Sequence, residues 1–268
     1  MRDLDNTILQ AARARGCLLS FSSVSKWQRC PLSWKFSYID KILTPPNRAM
    51  LMGTLFDEQC ESGGNALFSD YADKGLTIGD YHMVNKRYEA YKHHISDTDV
   101  QQMLVYAPIS ASSRCSSLAN VWVDEAPPIY LHGYVDRVKY IPDENGVKYL
   151  DNPILPIDYK FTQKPVNGKA KDHWKQQARY YLWLLQQMGY DVDRFEFHVC
   201  NAVDDTIDII KYKPRQNTVD RVPTEVMAAY EGMQSEWYPP NIDRHCTWCD
   251  HEQRCQNFTS RRLDNGTE

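Results

Sequence analysis

The stretch Pro156-Ile157-Asp158-Tyr159-Lys160 decides the fold of this chain. Its pattern predicts a β-strand, on which successive side chains point to opposite faces of a sheet. Asp158 and Lys160 should therefore project from one face and Tyr159 from the other. The strand thus places a carboxylate and an ammonium group side by side.

An earlier stretch, Gly133-Tyr134-Val135-Asp136-Arg137-Val138, also has the pattern of a strand. Asn145-Gly146 follows it, and this dipeptide favours a tight β-hairpin turn. We therefore expect the two strands to pair antiparallel, which brings Asp136 to the edge that carries Asp158 and Lys160. Two carboxylates and one ammonium group would then converge on one point of the sheet.

This combination of groups suits metal-dependent hydrolysis of a phosphodiester. Mg²⁺ takes oxygen ligands, typically one or two carboxylates together with water and substrate phosphate. The metal activates water and neutralises developing charge, and a nearby lysine orients the nucleophile or stabilises the transition state. A single D-x-K pattern is more often a pair of exposed strand charges, so the interpretation depends on further residues.

The predicted helix after this strand supplies some of them. Within His173 to Met188, Gln177 and Tyr181 lie four residues apart, on one face of the helix. Gln176 and Tyr180 have the same spacing, and we prefer the first pair because buried leucines then follow it. The helix therefore adds an amide and a phenol to the predicted site.

Basic residues concentrate in the same region. Between residues 160 and 179 there are six basic residues and one acidic residue, in a chain whose net charge is −4. A concentrated basic segment beside carboxylates suits a protein that binds a phosphate backbone, although a solvated helix face has the same composition. The residues predicted to contact nucleic acid are Lys164, Lys169, Lys171, Lys175 and Arg179.

The composition of the 268-residue chain is that of a soluble globular protein. Hydrophobic residues make up 42% and charged residues 25%, which excludes disordered, collagenous and fibrous classes. The longest apolar run, Tyr180 to Leu185, is far shorter than the roughly 20 residues of a membrane span. Acidic residues stand where a signal peptide would be apolar. We expect a cytoplasmic protein with no membrane contact.

Hydrophobic periodicity predicts helices in the first part of the chain, then a sheet, a helix, further strands and a last helix. The helices are expected over 3–15, from Ser22 or Ser23 through Cys30, from Pro31, and over 48–61, 80–94, 173–188 and 220–237. The strands are expected around Val121 and Val123 and over 131–137, 149–161, 195–199 and 207–212.

Three of the eight cysteines are clustered near the C-terminal end. Cys246, Cys249 and Cys255 have the spacing C-x2-C-x5-C, which in a reducing compartment indicates ligands of a metal or a cluster. The isolated cysteines are expected to be small buried side chains. They are Cys17, Cys60, Cys115 and Cys200.

Taken together, these features resemble the PD-(D/E)xK nucleases of the RecB-like and AddB-like branch, which includes the CRISPR-associated adaptation exonucleases. Five elements carry the resemblance in chain order, so it covers most of the chain. They are a serine-rich element ending in Cys30-Pro31, the G-x-x-D-R strand from Gly133, the D-Y-K strand at Asp158, the Q-x-x-x-Y helix at Gln177, and the C-x2-C-x5-C tail.

The resemblance implies an α/β fold: a restriction-endonuclease-like core with a central mixed β-sheet flanked by helices, an N-terminal helical part and a C-terminal cysteine-ligated cluster region. It implies one nuclease domain over 1–268. Residues 1–115 would form the mainly helical N-terminal part, 116–215 the core sheet and helix, and 216–268 the last helix and cluster-binding tail.

The resemblance also implies roles for the site residues. Asp136 and Asp158 would bind Mg²⁺ or Mn²⁺, Lys160 would be the catalytic lysine, and Gln177 and Tyr181 would position Lys160 or the scissile phosphate.

One position departs from the family pattern. The family usually has a histidine metal ligand four residues after a glycine, whereas here Gly53 is followed by Asp57. Aspartate also binds divalent metals, so Asp57 is predicted as a third ligand and Glu61, one helical turn on, is a weaker candidate.

In the iron–sulfur members, one N-terminal and three C-terminal cysteines hold a [4Fe-4S] cluster, which here would be Cys30 with Cys246, Cys249 and Cys255. The cluster would have a structural role, joining the two ends of the chain. Zinc is the alternative, because His251 could complete a local site with the last three cysteines, although one residue between Cys249 and His251 is tight for two tetrahedral ligands.

The sequence therefore predicts a metal-dependent DNA exonuclease that acts on single-stranded ends, with a protein partner in recombination, repair or CRISPR adaptation. The alternative is a catalytically inactive, nuclease-like subunit that binds DNA or a partner protein and keeps the cluster or zinc as scaffold. The aspartate in place of the family's histidine is the reason for this alternative.

Overall fold

The computed structural model describes residues 2–109, 129–141, 153–203 and 206–255, with side chains from residue 7 onward. The chain divides into two compact units. We call one the terminal unit, which comprises Met1–Pro45, Pro108–Leu131 and Pro223–Glu268. The other is the core unit, which comprises Pro46–Ala107 and His132–Val222. The single nuclease domain over 1–268 stays a prediction.

The described residues form mainly helices up to residue 91, then a run of strands, a helix, two further strands and two last helices. In chain order they are α1 (Arg2–Ala14), β1 (Leu18–Ser20), α2 (Phe21–Arg29), α3 (Pro31–Tyr38), α4 (Arg48–Ser62), α5 (Ser69–Ala72), α6 (Ile78–Tyr91), β2 (Val100–Ile109), β3 (Ile129–Tyr140), β4 (Ile154–Thr162), α7 (Asp172–Gln187), β5 (Phe195–Asn201), β6 (Ile207–Tyr212), α8 (Gln216–Val219) and α9 (Val222–Gln234). Short 3-10 turns cover Lys92–His94, Arg244–Trp248 and Glu252–Arg254.

The sheet of the core unit is mixed, which confirms the predicted fold class. β3 and β4 run antiparallel, with Arg137 opposite Ile157. β4 and β5 run parallel, β5 and β6 run antiparallel, and β2 also pairs with β3. Parallel neighbours need a crossover connection, usually a helix, and here α7 makes it.

The two faces of β4 pack against different helices. Tyr159 lies against α4 and α6, with ring centroids 6.0 Å from Phe56 and 5.6 Å from Tyr91. Asp158 and Lys160 instead contact Gln177 on α7. The alternation predicted from the sequence is therefore correct, and it directs the polar pair of β4 toward the crossover helix.

Local sequence explains where α4 begins and ends. The Asn47 side chain caps its first turn by accepting the N–H of Met50 at 3.0 Å. Gly63 ends the helix with φ of 67°, a left-handed conformation that glycine adopts without steric cost. These signals match the helix predicted over 48–61.

The terminal unit brings early and late segments of the chain together. Trp34 donates its indole N–H to Ser23 Oγ at 2.9 Å and stacks on Tyr238 with centroids 6.0 Å apart. Trp27 lies so close to Gly232 that a Cβ there would be 2.7 Å from the indole ring. Glycine at this position of α9 lets the aromatic cluster approach the helix.

Several predicted boundaries were wrong for local reasons. The helix predicted over 220–237 is α9, which is shorter at both ends, and α8 before it was not predicted. Pro223 lacks an N–H and lies in the first turn of α9, where this donor is not needed. Ser20, not Ser22 or Ser23, caps α2 by accepting the N–H of Ser23. β2 was not predicted, because Gln101 and Gln102 obscure its alternation.

The predictions at Val121, Val123 and Asn145-Gly146 lie outside the described residues. Among the residues that are described, no helix is both long enough and apolar enough to cross a bilayer.

Candidate functional site

The register of β3 and β4 brings two carboxylates together. Because Arg137 pairs with Ile157 in an antiparallel ladder, the next positions are Asp136 and Asp158. Asp136 Oδ2 accepts the backbone N–H of Tyr159 at 2.8 Å, which ties it to the strand that carries Asp158. Asp158 is almost completely buried, with 1% of its surface exposed.

Lys160 contacts the buried carboxylate directly. Its Nζ forms an ion pair with Asp158 Oδ2, and 21% of the lysine side chain stays exposed. The ammonium thus lies at the boundary between a buried carboxylate and solvent. Such a group stabilises negative charge that reaches the site from outside.

Gln177 on α7 links the two charged groups. Its Nε2 donates to Asp158 Oδ1 at 3.0 Å, and its Oε1 accepts from Lys160 Nζ at 3.3 Å. Tyr181, one helical turn on, accepts from Gln177 Nε2 at 3.5 Å. The structure thus places the predicted pair Gln177 and Tyr181 at the carboxylates.

The close approach of Tyr181 requires glycine at position 133. A Cβ built on Gly133 would lie 2.5 Å from Tyr181 Cε1, well inside contact distance. The sequence had singled out Gly133 only as part of a motif, and the partner ring on α7 explains why a side chain does not fit there.

The three predicted acidic ligands act on one another. Burial, followed by the charges of Asp136 and Asp158, raises the pKa of Asp57 well above its usual value. Burial and the charge of Asp158 raise the pKa of Asp136 to about 7. Burial raises the pKa of Asp158, against the opposing effect of Lys160. The carboxylates of α4, β3 and β4 therefore share one electrostatic environment.

Lys160 experiences the opposite balance. Burial acts to lower its pKa, but Asp158 and Asp136 outweigh this effect, so the pKa of Lys160 is raised and the side chain stays charged. Glu61, the weaker candidate, is exposed. Its charge raises the pKa of Asp57 less than the charges of Asp136 and Asp158 do.

The donors fit a hard divalent cation that keeps some of its water. Asp158 Oδ2 is buried, and Lys160 is the charged group paired with it, so a carboxylate and an ammonium group meet at the point where a cation would bind. In the described part of the chain, no group of three or more His, Cys, Asp or Glu side chains is arranged around a single ion. Mg²⁺ does not require such a group, because one or two carboxylates with water and substrate phosphates suffice.

Arg137, beside Asp136, was not predicted as a structural anchor. It is buried, donates to the carbonyl of His94 at 3.0 Å and forms an ion pair with Asp99 at 3.6 Å. Its guanidinium also lies over the rings of Tyr91 and Tyr159. A basic residue between Val135 and Val138, both buried, is the signal that could have identified it.

The predicted nucleic-acid residues have different environments. Lys164 and Lys169 are exposed in the segment between β4 and α7. Lys171 lies over the Trp174 ring, and Lys175 forms an ion pair with Asp172 at 3.0 Å. Arg179 donates to the carbonyl of Thr218 at 2.8 Å, so it connects α7 to α8.

The four predicted cluster ligands line one pocket in the terminal unit. Cys30 ends α2, and its Sγ accepts the backbone N–H of Asn241 at 3.5 Å. Cys249 Sγ lies 4.0 Å from Ser33 Oγ on α3. Cys246 and Cys255 complete the set, and the described cysteines are all free thiols. We call this the cysteine pocket.

Zinc and a [4Fe-4S] cluster require different arrangements of the cysteine sulfur atoms. Zinc needs its ligands around one point, whereas each cysteine of a [4Fe-4S] cluster binds a different iron. All four thiols line one pocket, and thiolates are the ligands of such a cluster, so the residues present fit it.

Two histidines also line the cysteine pocket. His251 is 2% exposed, and its Nε2 lies 2.8 Å from Ser37 Oγ. His251 Nδ1 and His245 Nε2 are buried without a hydrogen-bond partner. Burial lowers the pKa of His251, which favours the neutral imidazole. No spacing in the sequence indicates the contact between Ser37 and His251, which lie more than 200 residues apart.

Comparison with known proteins gives the family. A family model described as the PD-(D/E)XK nuclease superfamily matches residues 18–256. A "Putative exonuclease" from Eubacterium rectale is 12% identical, with 89% of each chain covered and a TM-score of 0.54. SSO0001 is 14% identical, with 95% of this chain and 96% of that chain covered and a TM-score of 0.46. No curated protein matches this chain in sequence.

The E. rectale likeness supports the fold alone, since the identity is low. The family match is stronger, because it spans the helices, the sheet and the cysteine tail. Its extent, together with the mixed sheet that carries the carboxylates and the lysine, leads to one conclusion: the chain belongs to the PD-(D/E)XK nuclease superfamily.

Proposed function

We propose that this member of the superfamily is a metal-dependent DNA exonuclease of the RecB-like and AddB-like iron–sulfur branch, acting on single-stranded DNA ends. The observation that carries the proposal is the shared environment of Asp57, Asp136 and Asp158 beside Lys160. Buried carboxylates that raise one another's pKa are costly for stability, so their retention favours a function that uses them.

The roles of the residues follow from their contacts. Asp136 and Asp158 would hold Mg²⁺ or Mn²⁺, with Asp57 in the position of the family's histidine. Bound metal would supply Lewis-acid activation of water and of the phosphodiester. Lys160 would compensate the charge that develops on the phosphate. Gln177 holds Lys160 and Asp158 in a fixed relation, because one amide bonds to both.

Charge at the site supports a DNA substrate. The exposed Lys164 and Lys169 follow directly on the strand that carries Lys160 and are available to phosphates. The preference for single strands and for ends rests on the family resemblance. Partners in recombination, repair or CRISPR adaptation are part of the same proposal.

We also propose that the cysteine pocket holds a structural [4Fe-4S] cluster bound by Cys30, Cys246, Cys249 and Cys255. The presence of all four side chains in one pocket supports it. Such a cluster would join residues more than 200 positions apart and so restrict the unfolded chain.

A second function has one observation in its favour. Asp57 replaces a histidine in the usual ligand set, and a subunit without catalysis could bind DNA through the same basic residues. Such a subunit would bind DNA with no Mn²⁺-dependent turnover.

A substrate panel tests the proposal. Labelled linear single strands, circular single strands of the same sequence and blunt duplexes are incubated with Mn²⁺ or with EDTA. We expect Mn²⁺-dependent release of short products from the linear single strand, and little from the circle or duplex. Equal cutting of the circle would contradict the exonuclease assignment, and binding without cutting would favour the inactive subunit.

A further inference from the structure

We propose that His251 donates a hydrogen bond from Nδ1 to a sulfur atom of the cluster in the cysteine pocket, and so sets the cluster's reduction potential and lifetime. This inference rests on the proposed cluster. It assigns to His251 a positioning role distinct from that of a metal ligand.

The backbone of His251 is fixed to two of the cluster cysteines. Its N–H bonds to the Cys249 thiol, and its carbonyl accepts the N–H of Cys255 at 3.1 Å. The residue therefore lies between two ligands in space as well as in sequence. Any group held by those cysteines would be next to this side chain.

The imidazole ring is held by two neighbouring residues. Phe36 packs against it with ring centroids 5.3 Å apart, and Ser37 Oγ lies 2.8 Å from Nε2. Both residues belong to α3, the helix that begins directly after Cys30. The helix that follows the N-terminal ligand thus also orients the histidine.

The remaining ring nitrogen has no partner. His251 Nδ1 is buried and makes no hydrogen bond to any described residue. A neutral imidazole carries one N–H, and the proposal assigns it to Nδ1, with the Ser37 hydroxyl donating to Nε2. A buried N–H without an acceptor is unfavourable, so it indicates an acceptor that occupies the pocket.

Cluster sulfur atoms meet this requirement. They are anionic acceptors, and hydrogen bonds to them are one of the factors that set reduction potential. Outer partners that orient ligands typically change metal affinity about 10-fold to 100-fold when removed. His251 has the placement of such a partner, since it contacts α3 and lines the same pocket as the four thiols.

The test uses the full-length protein prepared anaerobically with its cluster. Wild type is compared with His251→Leu, which removes the donor, and with His251→Asn, whose amide N–H takes the place of Nδ1–H. Ser37→Ala removes the partner of Nε2. His82→Leu, an exposed histidine on α6, is the matched control. Iron and sulfide content, the midpoint potential and the rate of colour loss in air are measured.

We expect His251→Leu to lower the midpoint potential and to lose colour about 10-fold faster than wild type. His251→Asn should stay close to wild type, Ser37→Ala should shift in the direction of the leucine variant, and His82→Leu should not change.

Equal potentials and lifetimes in wild type and His251→Leu would overturn the inference, as would an asparagine variant no better than the leucine variant. If His251→Leu does not fold, an unchanged Ser37→Ala protein overturns it instead. Wild-type protein without iron and sulfide would refute the proposed cluster itself. That result differs from a protein that contains the cluster but whose potential and lifetime do not change in His251→Leu, which would refute only the role of His251.

Discussion

The carboxylate site and the cysteine pocket are built from different kinds of structure. The carboxylate site lies on two paired strands and two long helices, so strand register and helix spacing place each side chain. Three cysteines of the pocket lie in or beside 3-10 turns held by a few backbone hydrogen bonds. Regular secondary structure therefore supports the first site, whereas the second has fewer regular hydrogen bonds and would gain more from a bound metal group.

Removal of one pocket cysteine should have the largest effect on stability. Cys30→Ala should lose the cluster, and the free energy of unfolding should fall by up to about 5 kcal/mol, the value expected for opening a loop this long. Iron content and denaturant unfolding measure this. Cys200→Ala, a buried cysteine outside the pocket, should keep its iron. A Cys30→Ala protein with full iron content would contradict the role of Cys30 as a cluster ligand, and with it the difference drawn between the cysteine pocket and the carboxylate site.

A smaller effect should follow from filling the space beside Tyr181. Gly133→Ala places a Cβ 2.5 Å from that ring, and overpacking of this kind costs about 1–3 kcal/mol. The nuclease rate should fall with it, because Tyr181 contacts Gln177. Gly53→Ala is the matched control, since a Cβ there meets nothing within 4 Å. Equal melting temperatures for the two variants would show that the carboxylate site tolerates repacking.

The acidic cluster should also make the metal-free protein sensitive to pH. The pKa of Asp136 is raised to about 7 from an unfolded value near 4, so the native state binds this proton more tightly. Stability should therefore fall as pH rises from about 4 to about 7. Asp136→Asn keeps the acceptor for Tyr159 N–H but carries no charge. Its stability advantage should grow over this range, to about 1–3 kcal/mol.

Mn²⁺ should reverse the difference in stability between wild type and Asp136→Asn. The metal should stabilise wild type above pH 7 and leave the variant nearly unchanged. Parallel stability curves for the two proteins at all pH values would contradict the shared acidic environment.

The smallest effect should come from the basic segment. Lys164→Ala should weaken binding of single-stranded DNA and reduce the slope of log affinity against log salt by about one phosphate contact. Arg179→Ala should mainly lower stability, because its guanidinium bonds to the carbonyl of Thr218. Salt-dependent binding titrations separate the two. The same change in salt slope for both variants would show that Arg179 also contacts phosphate.

The relative positions of the carboxylate-site residues could be predicted where they depend on regular periodicities. Strand alternation put Asp158 and Lys160 on one face, and the leucines that follow on the helix favoured Gln177 with Tyr181 over the equally spaced Gln176 and Tyr180. The sheet pairing of Asp136 also agrees with the structure. Side-chain positions that follow the two-residue period of a strand or the 3.6-residue period of a helix can be predicted from the sequence.

Contacts between distant elements could not be predicted in this way. The fit of Gly133 to Tyr181 depends on how closely α7 packs on β3, and the Ser37–His251 bond depends on how irregular turns meet α3. The start of α9 and the cap at Ser20 were missed for a local reason, since neighbouring residues compete for these positions. Sequence spacing contains no information about such choices.

Mn²⁺-dependent cleavage of an end-labelled single strand tests the central claim most directly, with wild type compared with Asp158→Asn and Lys160→Ala. The removal of a group that stabilises transition-state charge typically costs 10²–10³ in rate, about 3–4 kcal/mol. We predict a loss of about this size in both variants, with normal folding and unchanged iron content. Cleavage by both variants at the wild-type rate would contradict the account.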